Sequence, residues 1–274
     1  MSDFRPTRFQ ILPVIVKNLL IINVLMFFTT LVIQQKYGVD LVNLLGLHFF
    51  SSSLFKPFQL ISHMFMHGSF LHIFSNMFAL WMFGSALENV WGPKRFLIFY
   101  FVCGLGGAVM HLGVTWFVYS HMQSAIDTYA LHPDIASFAT LTARYDYLLN
   151  SGAVQSFIDQ WKQIPKDTSI ARQSVDLAYS ILKIYADIPI VGASGAVFGV
   201  LVAFGMLFPN TYLYVYFFVP VKAKYFVFIY AAFELYAGFS GAQDNVAHFA
   251  HIGGAVIGFL LVKYWNRNRR IDFY

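Results

Sequence analysis

Long apolar runs, separated by short polar segments, dominate the distribution of residues along this chain. Six of these runs contain 17–24 residues, close to the about 20 residues that the hydrocarbon core of a bilayer requires of a helix. They fall at 12–34, 67–87, 95–118, 190–208, 225–241 and 246–265. The second and fourth runs are followed by the breaker pairs Gly92-Pro93 and Pro209-Asn210. The pattern predicts an all-α polytopic membrane protein with six transmembrane helices.

Two segments between the runs have helical patterns of their own. Residues 35–66 carry apolar side chains in a long connection, which is typical of a segment lying in the membrane interface. Residues 119–188 form an insertion between the third and fourth runs. Apolar positions recur there at helical spacing in two groups, namely Val154, Phe157, Ile158 and Trp161, then Ala178, Ile181, Leu182 and Tyr185. We expect one membrane domain over residues 1–274, with a helical extracytoplasmic insertion at 119–188.

The composition agrees with a protein that lies mainly in lipid. Apolar residues make up 58% of the chain and charged residues 11%, and the mean hydropathy is +0.61. A soluble domain carries about 25% charged residues, because its surface must be covered. The net charge of +5 comes from basic residues that lie beside the apolar runs rather than in a stripe. The lipid bilayer is therefore the expected partner, and nucleic acid is not.

The basic residues also predict the orientation of the six runs. Eleven of them fall on one side of the predicted membrane: Arg5, Arg8, Lys17, Lys94, Arg95, Lys222, Lys224, Lys263, Arg267, Arg269 and Arg270. The short connections on the other side carry only Lys36 and Lys56. Cytoplasmic loops are enriched in Lys and Arg, so both termini are predicted to be cytoplasmic. No cleavable signal peptide or organelle-targeting segment is apparent, and we expect a multi-pass protein of a bacterial inner membrane.

A few polar residues are predicted to share one depth in the membrane. Predicted spans two, four and six run in the same direction, so His72, Ser194 and His251 lie about 6–8 Å below the outer edge. Asn76 lies one turn below His72 on the same helix face. Polar groups are costly in lipid and normally face the interior of a helix bundle. Their convergence on one layer marks a candidate site.

Ser194 is flanked by small residues, in Gly192-Ala193-Ser194-Gly195. Such residues serve close helix packing, and a serine among them can also be a nucleophile. Gly195-x-x-x-Gly199 and Gly254-x-x-x-Gly258 are predicted to face each other on spans four and six. The close approach that these motifs permit is what a serine and a histidine on different helices need.

Each of the other polar residues has an alternative interpretation. His248, three residues before His251, could form with it a pair that binds metal or haem. No His-Glu-x-x-His pattern is present, so neither a metal nor another cofactor is predicted. His72 and Asn76 could bridge helices or donate to an oxyanion. Glu234 is interpreted as a structural carboxyl group, and because no aspartate is placed to orient His251, we predict a dyad rather than a triad.

These residues belong to three motifs on alternate predicted spans. The motifs are His63-x-x-x-His67-x-x-x-x-His72-x-x-x-Asn76, Gly192-Ala193-Ser194-Gly195 and Ala250-His251-Ile252-Gly253-Gly254-x-x-x-Gly258. Each motif alone is weak, whereas the three in this order are specific. In this combination the chain resembles the rhomboid family of intramembrane serine proteases, over all six predicted spans.

The resemblance implies the six-helix rhomboid fold and a serine endopeptidase that hydrolyses peptide bonds in or next to transmembrane helices of membrane-protein substrates. It implies a Ser194–His251 dyad, with an oxyanion hole formed by His72, Asn76 and the backbone N–H of Ser194. In the family an aromatic residue four positions after the serine packs against the catalytic imidazole, and Phe198 stands in that place.

Two departures from the family pattern, and two other functions, remain to be considered. Phe58-Gln59 replaces the Trp-Arg pair that is often found in the first loop, and the insertion at 119–188 is unusual in a minimal six-span rhomboid. The main alternative is a catalytically inactive rhomboid-like protein that binds membrane clients, although such relatives typically lack the serine or the histidine. A channel or carrier is disfavoured, because Glu234 is the main ionisable group within the runs.

Overall fold

A computed structural model describes residues 9–215, 218–240 and 247–267 of the chain. It is mostly helical. The helices are α1 (Val14–Tyr37), α2 (Leu41–Leu45), α3 (Gln59–Ser62), α4 (Phe70–Ala79), α5 (Ser85–Trp91), α6 (Pro93–Leu131), α7 (Ile135–Arg144), α8 (Ser151–Gln163), α9 (Thr168–Ala186), α10 (Ser194–Leu207), α11 (Ala223–Ser240) and α12 (His248–Arg267). A π-helical turn, Leu80–Gly84, joins α4 to α5, and short 3₁₀ turns occupy His63–Phe65 and Asp146–Leu148.

Among the described residues, three helices are long and apolar enough to cross a bilayer. They are Val14–Tyr37, the continuous helix Phe70–Trp91 and Pro93–Leu131. The chain is therefore a multi-pass membrane protein. Helices α10, α11 and α12 lie in the fourth, fifth and sixth predicted runs, but α10 is shorter, with 14 residues. The count of six spans stays a prediction.

Two features of the fold differ from the sequence prediction. Helix α6 does not end near residue 118 but continues to Leu131, because its apolar side chains keep helical spacing through Met122, Ile126 and Tyr129. The protein is also not purely helical. Strands β1 (Tyr212–Val215) and β2 (Val219–Lys222) form an antiparallel hairpin between α10 and α11. Aromatic and β-branched residues favour strands, and these segments are rich in them.

The chain divides into two compact units. The first comprises the described residues of Met1–Leu47, Pro57–His111 and Ile190–Tyr274, and the second comprises His48–Lys56 and Leu112–Pro189. The core of the first unit is built from large buried side chains, including Leu80, Leu87, Phe96, Phe99 and Tyr100. The single cysteine, Cys103, is buried in the same core.

The second unit holds the predicted insertion. The two predicted amphipathic helices are confirmed as α8 and α9, and α7 is an additional helix that the sequence analysis did not identify. The unit has a core of its own, which includes Met122, Ile126, Phe138, Trp161 and Ile181. Asp134, Asn150 and Asp167 cap α7, α8 and α9, each by accepting a hydrogen bond from a backbone N–H of the first turn. The hydroxyl of Ser137 also donates to Asp134, which lowers the pKa of that carboxyl group.

Polar side chains hold the start of α1 and the segment that follows α1. Glu88 accepts hydrogen bonds from the backbone N–H groups of Ile15 (2.9 Å) and Val16 (2.8 Å), so a carboxylate satisfies the start of α1. In the segment after α1, Gln59 Nε2 donates to the carbonyl oxygen of Leu44 at 3.1 Å. Gln59 thus anchors this segment to α2.

Several predicted features lie outside the described residues. They are the basic residues Arg5, Arg8, Arg269 and Arg270, and most of the connection Ser240–Asn245 between the fifth and sixth runs. The predicted positions of the termini and of the insertion relative to the membrane stay predictions.

Candidate active site

Ser194 is the first residue of α10, and the chain before it is not helical. Ile190 forms a β-bridge with Leu47, and the backbone N–H of Gly192 donates to the carbonyl oxygen of His63 at 2.9 Å. Gly192 has a φ of 124°, a conformation that favours glycine. The predicted fourth run begins at residue 190, but the helix begins only at Ser194. Its backbone N–H lies in the first turn, where such groups have no partner within the helix.

Helices α10 and α12 approach each other through glycines, as the paired motifs predicted. A Cβ atom built on Gly254 would lie 1.8 Å from the carbonyl oxygen of Gly195, and one built on Gly258 would lie 2.8 Å from the Cα of Gly199. A Cβ on Gly195 would lie 3.3 Å from the carbonyl oxygen of Ala250. The backbones of α10 and α12 are therefore in direct contact. Ser194 and His251 lie directly beside residues of this contact, Gly195 and Ala250.

His251 is buried on α12, with 8% of its surface exposed. The ring of Phe198 stacks on its imidazole, with the centroids 4.3 Å apart and the planes 8° from parallel. Tyr230 of α11 also packs against Phe198, at a centroid distance of 4.9 Å. The stack limits how the imidazole can rotate. Among the described residues, no hydrogen bond joins Ser194 to His251, and such contacts often tighten only when substrate is bound.

A carboxylate contacts the ring nitrogen of His251 that the sequence analysis left without a partner. Glu234 Oε2 lies 2.8 Å from His251 Nδ1 and 2.7 Å from His248 Nδ1. The side chains of Glu234 and His251 are only 4% and 10% exposed. The sequence analysis placed no aspartate beside His251 and interpreted Glu234 as a structural carboxyl group, so it did not predict this contact. An isolated acid in an apolar helix, facing two histidines three residues apart, is the signal that could have found this arrangement.

His72 and Asn76 lie on α4 near the start of α10. A Cβ on Gly192 would lie 2.7 Å from His72 Nε2 and 3.6 Å from Ser194 Oγ, so both groups border the same small space. Asn76 is 5% exposed. Within the described part of the chain, its Nδ2 has no hydrogen-bond partner. Buried donors are rarely left unsatisfied in native proteins, so this one is available to a group that enters the site.

A comparison with protein families gives a match to the Rhomboid domain, at residues 55–123 and 168–267. The chain belongs to the rhomboid family. The part left unmatched between these two ranges contains α7 and α8.

Two curated relatives match parts of this rhomboid. Rhomboid protein 1, mitochondrial, of Saccharomyces cerevisiae is 23% identical over 206 residues, which are 75% of this chain and 41% of the relative. RHOMBOID-like protein 5 of Arabidopsis thaliana is 40% identical over 55 residues, which are 20% of this chain and 18% of the relative. The chain thus spans less than half the length of these relatives. They come from a yeast and a plant, so they give no support to the predicted bacterial membrane.

Proposed function

We propose that this rhomboid is an intramembrane serine endopeptidase that cleaves peptide bonds in or next to transmembrane helices of membrane proteins. The observation that carries the proposal is the backbone contact of α10 with α12 at Gly195 and Gly254, beside Ser194 and His251. A contact this close serves a serine and a histidine that must meet across two helices.

In the proposed reaction, Ser194 Oγ attacks the scissile carbonyl carbon while His251 Nε2 accepts the hydroxyl proton. The carbonyl oxygen becomes an oxyanion, to which Asn76 Nδ2, the His72 imidazole and the backbone N–H of Ser194 donate. The intermediate collapses as His251 returns the proton to the leaving amine, which leaves an acyl ester on Ser194. Water then attacks the ester, with His251 again as base, and restores the serine.

The stacked ring of Phe198 supports this assignment of His251. It holds the imidazole in one plane, so that little rotational freedom has to be lost when substrate binds. The first-turn position of Ser194 supports the oxyanion role of its backbone N–H, since helix N-termini stabilise negative charge.

The proposal is tested by reconstituting the purified protein in liposomes with a labelled transmembrane substrate, and by treating it with a fluorescent fluorophosphonate. Cleavage, together with labelling that maps to Ser194, is the expected result. A folded protein that binds the substrate but shows neither cleavage nor labelling would identify the catalytically inactive, client-binding alternative.

Replacing Asn76 with alanine is expected to lower the turnover number about 10²-fold, the cost typical of one lost oxyanion donor. Labelling of Ser194 should persist, because the two other donors and the Ser194–His251 pair remain. Steady-state kinetics of the reconstituted variant measure the change.

The matched control for this variant is Asn23→Ala. Asn23 is a fully buried amide of α1 whose Nδ2 donates to the carbonyl oxygen of Leu19. The Asn23→Ala substitution should lower the melting temperature but not the turnover number of the folded enzyme. If Asn76→Ala behaves in the same way, Asn76 bridges helices and is no oxyanion donor.

A further inference from the structure

The contact between Glu234 and two histidines has no part in a serine–histidine dyad. One oxygen atom, Glu234 Oε2, lies within hydrogen-bond distance of His248 Nδ1 (2.7 Å) and His251 Nδ1 (2.8 Å). All three side chains are buried, with 4%, 6% and 10% of their surface exposed for Glu234, His248 and His251. A buried carboxyl group at this position ties α11 to the helix that carries the proposed base.

The shared oxygen atom favours one placement of the ring protons. A single oxygen that contacts two nitrogens can accept from both, but it cannot donate to both. With Glu234 ionised, its carboxylate accepts an N–H from each imidazole, which satisfies all three groups. His251 is then protonated on Nδ1, and its Nε2 carries a lone pair.

The same three side chains are also a potential set of metal ligands, with their ligand atoms within 4.8 Å of one another. A tetrahedral zinc ion with bonds of about 2.0–2.1 Å separates its ligand atoms by about 3.3 Å. The two oxygen–nitrogen distances here are 2.7 and 2.8 Å, which are normal for charge-assisted hydrogen bonds. The distances therefore favour protons, not a metal ion, between these atoms.

We propose that Glu234 is a positioning residue for the general base, so that the site works as a Ser194–His251–Glu234 triad. Glu234 holds His251 in the tautomer whose Nε2 can accept the serine proton, and its negative charge stabilises the imidazolium that forms. His248 is a second donor to the same oxygen and fixes the carboxylate between the helices. The proposal rests on the proposed function of Ser194 and His251, and it adds a third group to that site.

The main test is Glu234→Gln, which keeps the size of the side chain and removes its charge. In soluble serine proteases, exchanging the orienting carboxylate for its amide lowers kcat about 10⁴-fold, because the wrong tautomer is imposed. We expect a loss of about 10²- to 10⁴-fold in kcat with KM changed by no more than a few-fold. Glu234→Asp retains the charge and should recover part of the activity.

Glu88 offers a matched control in the same unit. It is also a buried carboxylate that accepts two hydrogen bonds, in its case from the backbone of Ile15 and Val16. Glu88→Gln should lower the melting temperature and leave kcat within a few-fold of wild type. A kcat for Glu234→Gln equal to that of Glu88→Gln would overturn the positioning role.

A spectroscopic measurement tests the same contact without any activity. In protein labelled with ¹⁵N-histidine, His251 should carry its proton on Nδ1, with the deshielded proton signal of an N–H bonded to a carboxylate. The signal should be lost in Glu234→Gln and kept in Glu234→Asp. A wild-type protein with the His251 proton on Nε2 would contradict the proposal, whether or not the variants fold.

Two further results distinguish the possible failures. A wild-type protein that neither cleaves nor labels would end the proposed function, while the ¹⁵N signal would still decide whether Glu234 holds His251. Activity that is lost on treatment with EDTA and restored by zinc would replace the hydrogen-bonded triad by a metal centre of the same side chains.

Discussion

Removing the hydroxyl group of Ser194 should abolish cleavage of a transmembrane substrate and leave the fold intact. A proposed nucleophile and its proposed base are expected to act as a unit, and in soluble serine proteases the loss of either one lowers kcat about 10⁶-fold. His251→Ala should therefore be as inactive as Ser194→Ala, and the double variant should be no worse than either. The measurement is the cleavage rate of each reconstituted variant, normalised to folded protein by its melting transition.

The matched control for the serine is Ser120→Ala. Ser120 is a helical serine in α6 whose hydroxyl donates to the carbonyl oxygen of Phe117, within its own helix. Its replacement should leave cleavage and labelling unchanged. Residual cleavage by Ser194→Ala within a few-fold of wild type would remove Ser194 from the mechanism. Additive losses in the double variant would show that the two residues do not act together.

The long apolar helices were largely predictable, because apolar runs of sufficient length have few alternatives in a bilayer. The residues at which these helices begin and end were less predictable. The apolar run that contains Ser194 begins near residue 190, but a bridge from Ile190 to Leu47 and the positive φ of Gly192 delay the helix to Ser194 itself. A non-local backbone bridge leaves no mark in a local hydrophobic pattern, so the run alone could not place the start of α10.

The contact of Glu234 with His251 illustrates a second limit. The sequence shows that an acid in an apolar helix needs a partner, and the two histidines of α12 are donors of the right kind. Which of them faces Glu234 depends on the rotation of α11 against α12, and a sequence pattern does not determine that rotation. The structure brings both histidines to the same oxygen. The contact between the paired glycines of α10 and α12 was predictable, since small residues at a spacing of four indicate which helix faces pack together.

Gly254→Ala should abolish the proposed proteolytic activity by separating the two helices that carry Ser194 and His251. The added methyl group would lie 1.8 Å from the carbonyl oxygen of Gly195 and 2.6 Å from its carbonyl carbon. These are backbone atoms of a packed helix, so no side chain can move to make room. The helices would have to separate by about 1 Å or more, and a misplacement of that size costs about 10²-fold in rate. We expect both cleavage and fluorophosphonate labelling to fall at least that far, together with the melting temperature.

Alanine substitutions at two other glycines allow the effect on activity to be ranked by how closely the added methyl group meets a neighbouring backbone. Gly113 lies in α6 with no atom within 4 Å of a Cβ built on it, so Gly113→Ala adds the same methyl group to open space. It should leave activity unchanged and stabilise the helix by up to about 1 kcal/mol. Gly258 is an intermediate case, because its Cβ would lie 2.8 Å from the Cα of Gly199, one turn farther from Ser194 and His251. Activity should therefore rank Gly113→Ala above Gly258→Ala and Gly258→Ala above Gly254→Ala. Equal activity of the Gly254 and Gly113 variants would mean that α10 and α12 are not in backbone contact, and the observation that carries the proposed function would be lost with it.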